Sequence, residues 1–121
     1  MKIIILCLFL LNFLSANLLQ EAINNAPEGS VLKLPKGVYK GSIIINKPLS
    51  IIGKEDGVII DGGGIGTVIQ ITSSYVTLKN LTITGSGNRH DLLDSAIKIN
   101  NSKQSEISNC IIKDSLFGID I

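Results

Sequence analysis

The later part of the chain repeats itself, and the repeat limits the folds open to it. Val76-Thr77-Leu78-Lys79-Asn80-Leu81-Thr82-Ile83 aligns with Ser105-Glu106-Ile107-Ser108-Asn109-Cys110-Ile111-Ile112 at an offset of 29. Leu49-Ser50-Ile51-Ile52-Gly53 aligns with residues 76–80 at 27, and Val58-Ile59-Ile60-Asp61 with Leu81-Thr82-Ile83-Thr84 at 23. A third run, Val68-Ile69-Gln70-Ile71, returns as Ala96-Ile97-Lys98-Ile99 at 28 and as Gly118-Ile119-Asp120-Ile121 at a further 22. Three short strands per period of about 22–29 residues describe stacked coils, none of which can bury its inward side chains alone. The sequence therefore predicts an all-β fold, a parallel β-helix with three strands per coil. The hand of parallel connections favours right-handed coils. Alternation should turn Ile, Leu and Val inward and Thr, Ser, Lys and Gln outward.

The first coil is less regular. Val31-Leu32-Lys33-Leu34 alternates and Pro35-Lys36-Gly37 reads as a turn. Ile43-Ile44-Ile45 follows, then Asn46-Lys47-Pro48. Hydrophobic residues make up 45% of the chain, yet aromatics only 4%, which suits many short strands and tight turns. Net charge is +1 with no basic run, so the electrostatic footprint of a nucleic-acid binder is missing.

Residues 1–16 read as a secretory signal peptide. Met1-Lys2 is the positive start, residues 3–14 are apolar except Asn12, and Ser15-Ala16 offers a cleavage site. The apolar run falls short of the roughly 20 residues of a membrane span, so no transmembrane anchor is expected. Export from the cytoplasm is then expected. Cys7 would leave with the leader, and Cys110 would then have no disulfide partner. Its place in an apolar register reads as a small buried core residue.

The mature domain is expected over residues 17–121, opening with a capping helix and turn over 17–29. Leu18, Leu19, Ala22, Ile23 and Ala26 recur on one helical face over residues 18–25, and Gln20, Glu21, Asn24 and Asn25 on the other. Pro27 and Gly29 end the segment. Such a helix would cover the open end of a β-helix core.

Asn80 and Asn109 occupy equivalent corners, with Gly53 in the same slot one coil earlier. A sharp bend near the left-handed region favours Gly or Asn, so all three read as structural turns. Function in a solenoid sits on its loops. Residues 85–95 stand out as an insertion, read here as interrupting the connection from the third strand to the first. They carry the only His and the only Arg, and Arg89, His90, Asp91 and Asp94 form a candidate ligand or docking loop. One His with nearby Asp does not make a metal site. Asp61-Gly62-Gly63-Gly64 reads as an ordinary β-helix turn. No catalytic residues are assigned, and no metal ligands.

Pro35-Lys36-Gly37-Val38-Tyr39, Pro48-Leu49-Ser50-Ile51-Ile52-Gly53, the Asp61-Gly62-Gly63-Gly64 run, residues 81–87 and Asp94-Ser95-Ala96-Ile97 occur in an order that resembles NosD-like proteins. The resemblance covers nearly the whole mature chain. It implies a periplasmic right-handed β-helix with repeats of the carbohydrate-binding and sugar-hydrolase type. It further implies a role in assembling the copper–sulfur centre of nitrous oxide reductase, with an ABC-type ATPase and permease pair and the reductase as partners. Copper is implied by the resemblance alone; one His and one Cys in the mature chain do not support a copper site. Family members continue for many more coils, so the chain is expected to be an N-terminal fragment, cut off at Ile121.

Two alternatives remain open. A polysaccharide lyase or hydrolase would need paired carboxylates, or Arg with calcium-binding carboxylates. A carbohydrate-binding module would need exposed aromatics, for which the mature chain offers Tyr39, Tyr75 and Phe117.

Overall fold

The computed structural model describes residues 16–121. The proposed signal peptide and Cys7 lie outside the described residues but for Ala16. Helix α1 (Ala16–Asn25) opens the chain. Twelve strands follow: β1 (Ser30–Leu34), β2 (Gly37–Lys40), β3 (Ile43–Ile45), β4 (Leu49–Gly53), β5 (Val58–Asp61), β6 (Ile69–Ile71), β7 (Val76–Lys79), β8 (Thr82–Thr84), β9 (Ser95–Ile99), β10 (Glu106–Ser108), β11 (Ile111–Lys113) and β12 (Phe117–Asp120). Every third strand joins the same sheet. The orders are β1-β4-β7-β10, β2-β5-β8-β11 and β3-β6-β9-β12, all parallel. The chain is a three-sided parallel β-helix making three full turns between β1 and β10.

The repeat offsets are the registers. Ile51 pairs with Leu78, Ile60 with Ile83 and Ile69 with Ile97, as the alignments require. Inward residues therefore stack on their own kind. Leu32, Ile51, Leu78 and Ile107 form one column, and Tyr39, Ile60, Ile83 and Ile112 a second. Ile43, Ile69 and Ile97 continue down the third sheet to Ile119. Each fully buried Ile or Leu adds about 1.5–3 kcal/mol by leaving water.

The first coil departs from expectation. Gly37 opens a strand, β2, instead of closing a turn. Tyr39 points inward with 2% of its surface exposed, and its hydroxyl donates to the Pro35 carbonyl at 2.7 Å. Burial pushes its pKa up to about 12. The aromatic residue fills the column position that Ile occupies in later coils.

Helix α1 begins two residues earlier than expected and caps the core. Leu19 and Ile23 are buried on it and Ala26 just past its end, with Ala22 packed alongside. Strand β3 is the edge of its sheet, and Gln20 pairs with it as a strand would. Its Oε1 accepts from the Ile44 N–H at 2.7 Å and its Nε2 donates to the Ile44 carbonyl at 2.9 Å. The Lys47 ammonium donates to the Asn24 and Ala26 carbonyls at 2.8 and 2.9 Å, satisfying the helix C-terminus.

Candidate functional site

Two corners bear on function. At the first, between sheets one and two, Asn80 and Asn109 have φ of 62° and 52°, the left-handed conformation expected of them. The Asn109 Nδ2 donates to Asn80 Oδ1, and the Asn80 Nδ2 donates to the Gly53 carbonyl at 3.0 Å. Gly53 shares the ladder but not the conformation: its φ is not in the left-handed region. It is glycine because a Cβ there would overlap the Asn80 carbonyl. Close approach, not a bend, selects it.

The 85–95 insertion lies at the second corner, between β8 and β9. It connects the second sheet to the third, not the third to the first. Among the described residues, the four buried polar side chains, Thr67, Ser86, Asp94 and Ser95, all belong to this corner. Each is hydrogen-bonded, and together they tie three successive coils. Thr67 Oγ1 accepts from the Ser95 N–H at 3.2 Å, and Ser95 Oγ donates to the Leu93 carbonyl at 2.7 Å. Ser86 Oγ accepts from the Leu116 N–H at 2.9 Å and donates to the Gly87 carbonyl at 2.8 Å. Such a network rigidifies a loop because each member left unpaired would carry a desolvation cost.

Asp94, with 2% of its surface exposed, is held by Arg89 alone. Its Oδ2 accepts from the Arg89 N–H at 3.0 Å and from Arg89 Nε at 2.9 Å; its Oδ1 accepts from Arg89 Nη2 at 3.0 Å. This two-pronged pairing fixes the guanidinium plane. Hydrogen bonding to Arg89 holds the Asp94 carboxyl below the usual carboxylate range, and the same pairing raises the guanidinium. Of the four candidate residues, Arg89 and Asp94 thus serve each other. His90 sets its ring edge-on to Phe117, with centroids 6.2 Å apart and planes at 85°. Asp91 is exposed beside them. A cleft of about 210 Å³ runs along Arg89 and Asp94 against Gly64, Ile65 and Gly66 of the preceding coil.

Asp94, a member of the candidate ligand or docking loop, is buried. Ser86 and Thr67 are not among the sequence's candidate site residues, yet both are buried here. Asp94 and Ser95 at the entry to β9 are the available signal, since such residues often bond nearby backbone groups.

Copper does not fit the described residues. Among them, no three His, Cys, Asp or Glu side chains converge. His90 lies at the second corner and Cys110 at the first. Cys110 is half-buried between β10 and β11 rather than fully buried, and burial raises its pKa, which opposes the thiolate that a soft metal needs. Its thiol lies 3.3 Å from the Ser108 carbonyl. Asp61 is engaged as well, its Oδ1 accepting from the Gly63 N–H at 2.8 Å. Of the aromatics named for sugar contact, Tyr39 is buried and unavailable; Tyr75 is 62% exposed.

Fold and corners together define a parallel β-solenoid that presents one pinned loop. Comparison with protein families, curated proteins and solved structures gives no match. Among the described residues, no helix is long and apolar enough to cross a membrane.

Proposed function

We propose that the chain is part of an exported NosD-like scaffold that acts in assembly of the copper–sulfur centre of nitrous oxide reductase. The reading rests on the ordered motifs that resemble that family. The observation that carries it is the pinned second corner. The buried Asp94 carboxylate fixes Arg89 at the surface, with the His90 ring set edge-on to Phe117 beside it, which suits a docking epitope more than a reaction centre. Asp61 and Asp94 use their carboxylates to hold loops, so a lyase or hydrolase is the weaker reading. On the favoured reading the protein works in the periplasm after cleavage of residues 1–16. Its partners are the reductase and an ABC-type ATPase and permease pair, and copper is cargo of the pathway rather than a resident metal of these coils.

Deleting the full-length gene should leave the reductase without its copper–sulfur centre. A copy carrying Arg89→Ala and His90→Ala should fail to restore it. Normal reductase in the deletion strain would reject the scaffold role, and full restoration by the double variant would reject the epitope. Turnover of polygalacturonate by the full-length protein, with or without calcium, would favour the enzyme.

A further inference from the structure

Asp94 uses only part of the Arg89 guanidinium. Its carboxylate takes Arg89 Nε and Nη2, at 2.9 and 3.0 Å, and Arg89 Nη1 makes no hydrogen bond among the described residues. A guanidinium holds its N–H donors in one rigid plane, so fixing two of them fixes the direction of the rest. The Arg89 side chain is 53% exposed and that of Asp94 only 2%. An anion approaching this corner therefore meets the cation, with the carboxylate that orients it shielded behind.

The surroundings give the free donors a ligand chemistry. Arg89 Nη2 lies against Gly66, close enough that a Cβ there would stand 3.5 Å from it. Gly66, Ile65 and Gly64 line the cleft of about 210 Å³ that Arg89 and Asp94 also line, and Ile65 is 75% exposed. A fixed fork of donors beside an aliphatic side chain suits a carboxylate on a short stem, with its oxygens on the guanidinium and its methylene groups on Ile65. The cleft is smaller than the roughly 300–1,000 Å³ of cofactor and drug-sized sites, and it has room for one side chain. No second cation lines it to match a doubly charged phosphate. Beyond the cleft, exposed Asp91 is offset by Lys98, whose ammonium donates to the Leu92 carbonyl at 3.0 Å.

We infer that this cleft receives an acidic side chain of a docking partner, a glutamate or aspartate paired with the free edge of Arg89 and packed on Ile65. The inference rests on the docking reading above and gives the partner's contact residue a chemistry.

Arg89 is the only arginine in the chain, so its Nε–Hε pair gives a single nitrogen–proton NMR signal. The test titrates the labelled full chain at pH 7 with acetyl-Leu-Glu-Ala-amide, with its Gln counterpart and with inorganic phosphate. The Glu peptide should move the Arg89 signal saturably at millimolar concentration, and the Gln peptide should bind at least about tenfold more weakly. Ile65→Ser should keep the melting temperature, since the side chain is exposed, and should weaken the Glu peptide at least about threefold. No shift with the Glu peptide, equal binding of the Glu and Gln peptides, or tighter binding of phosphate would overturn the inference. The docking reading fails separately: full restoration of the reductase by the Arg89→Ala, His90→Ala copy rejects the epitope, and saturable binding of the Glu peptide then still upholds the pocket.

Discussion

The Asn109 side-chain Nδ2 donates to Asn80 Oδ1 at 3.1 Å, one coil apart and in the same left-handed conformation. Each asparagine both permits its bend and bonds to the coil before it. The ladder ends on the Gly53 carbonyl, so a side-chain chain of bonds runs up the first corner beside the backbone ladder.

Asn80 carries two of those bonds and should be the sensitive member. Asn80→Ala keeps a Cβ in the left-handed region and removes both partners, so it should cost about 1–3 kcal/mol. Asn80→Gly restores the backbone freedom and should cost less. Urea denaturation of the two variants checks the order; equal losses would mean that the side-chain bonds alone carry the effect.

The Arg89–Asp94 pair makes stability depend on pH. The Asp94 pKa is depressed in the folded state by its bonds to Arg89, while in the unfolded chain it returns to about 3.9. The folded state then holds the carboxylate more firmly than the unfolded state does. Its stabilising contribution is complete above the unfolded pKa and is lost as pH falls through the lower, folded value. Asp94→Asn should be less stable than wild type at neutral pH, and the gap should close in acid. Denaturation midpoints measured from pH 7 downward test this. A gap constant with pH would assign the loss to packing instead.

Tyr39 gives the opposite dependence. Its pKa is pushed up to about 12 by burial, so the folded state retains a proton that the unfolded chain gives up near 10. The contribution is complete below the unfolded value and is lost as pH rises through the folded one. Ultraviolet titration should show one late-ionising tyrosine, absent in Tyr39→Phe. That variant also loses the bond to the Pro35 carbonyl and should be about 0.5–1.5 kcal/mol less stable at neutral pH.

The sheets were legible in the sequence because register and repeat offset are one quantity in a parallel solenoid. Ile60 and Ile83 align in the sequence at 23, and they pair in space. Strand β2 is not legible because Pro35 and Gly37 signal a turn, and alternation from Val38 to Tyr39 is too short to argue against them. For Gly53, a one-dimensional pattern shows that the residue must be small, but not whether a bend or the neighbouring Asn80 carbonyl makes it so. The direction of Asp94 was hidden for a similar reason. A carboxylate turns inward only where a partner waits, and Arg89 reaches it by a loop geometry that spacing does not encode.

The helix cap supplies the last prediction. An edge strand with free N–H and C=O groups invites pairing with another chain, and β3 is such an edge. Gln20 satisfies both groups of Ile44 with a single side-chain amide, while Ile23 is 0% exposed beneath it. The two residues therefore do separable work. Ile23→Ala removes buried methyl groups and should cost about 2–5 kcal/mol in urea denaturation. Gln20→Ala removes three bonds, two to Ile44 and one to Asn24 Oδ1, at an exposed site where water can replace them, and should cost no more than about 1 kcal/mol. Its larger effect should be on association, because Ile44, 47% exposed, then offers an open strand edge. Light scattering at rising concentration should show Gln20→Ala self-associating more readily than wild type. Gln20→Glu should show intermediate behaviour, since the carboxylate still accepts from the Ile44 N–H and no longer donates to its carbonyl. If Gln20→Ala matches wild type in scattering while Ile23→Ala does not, burial by α1, not pairing by Gln20, is what protects the edge.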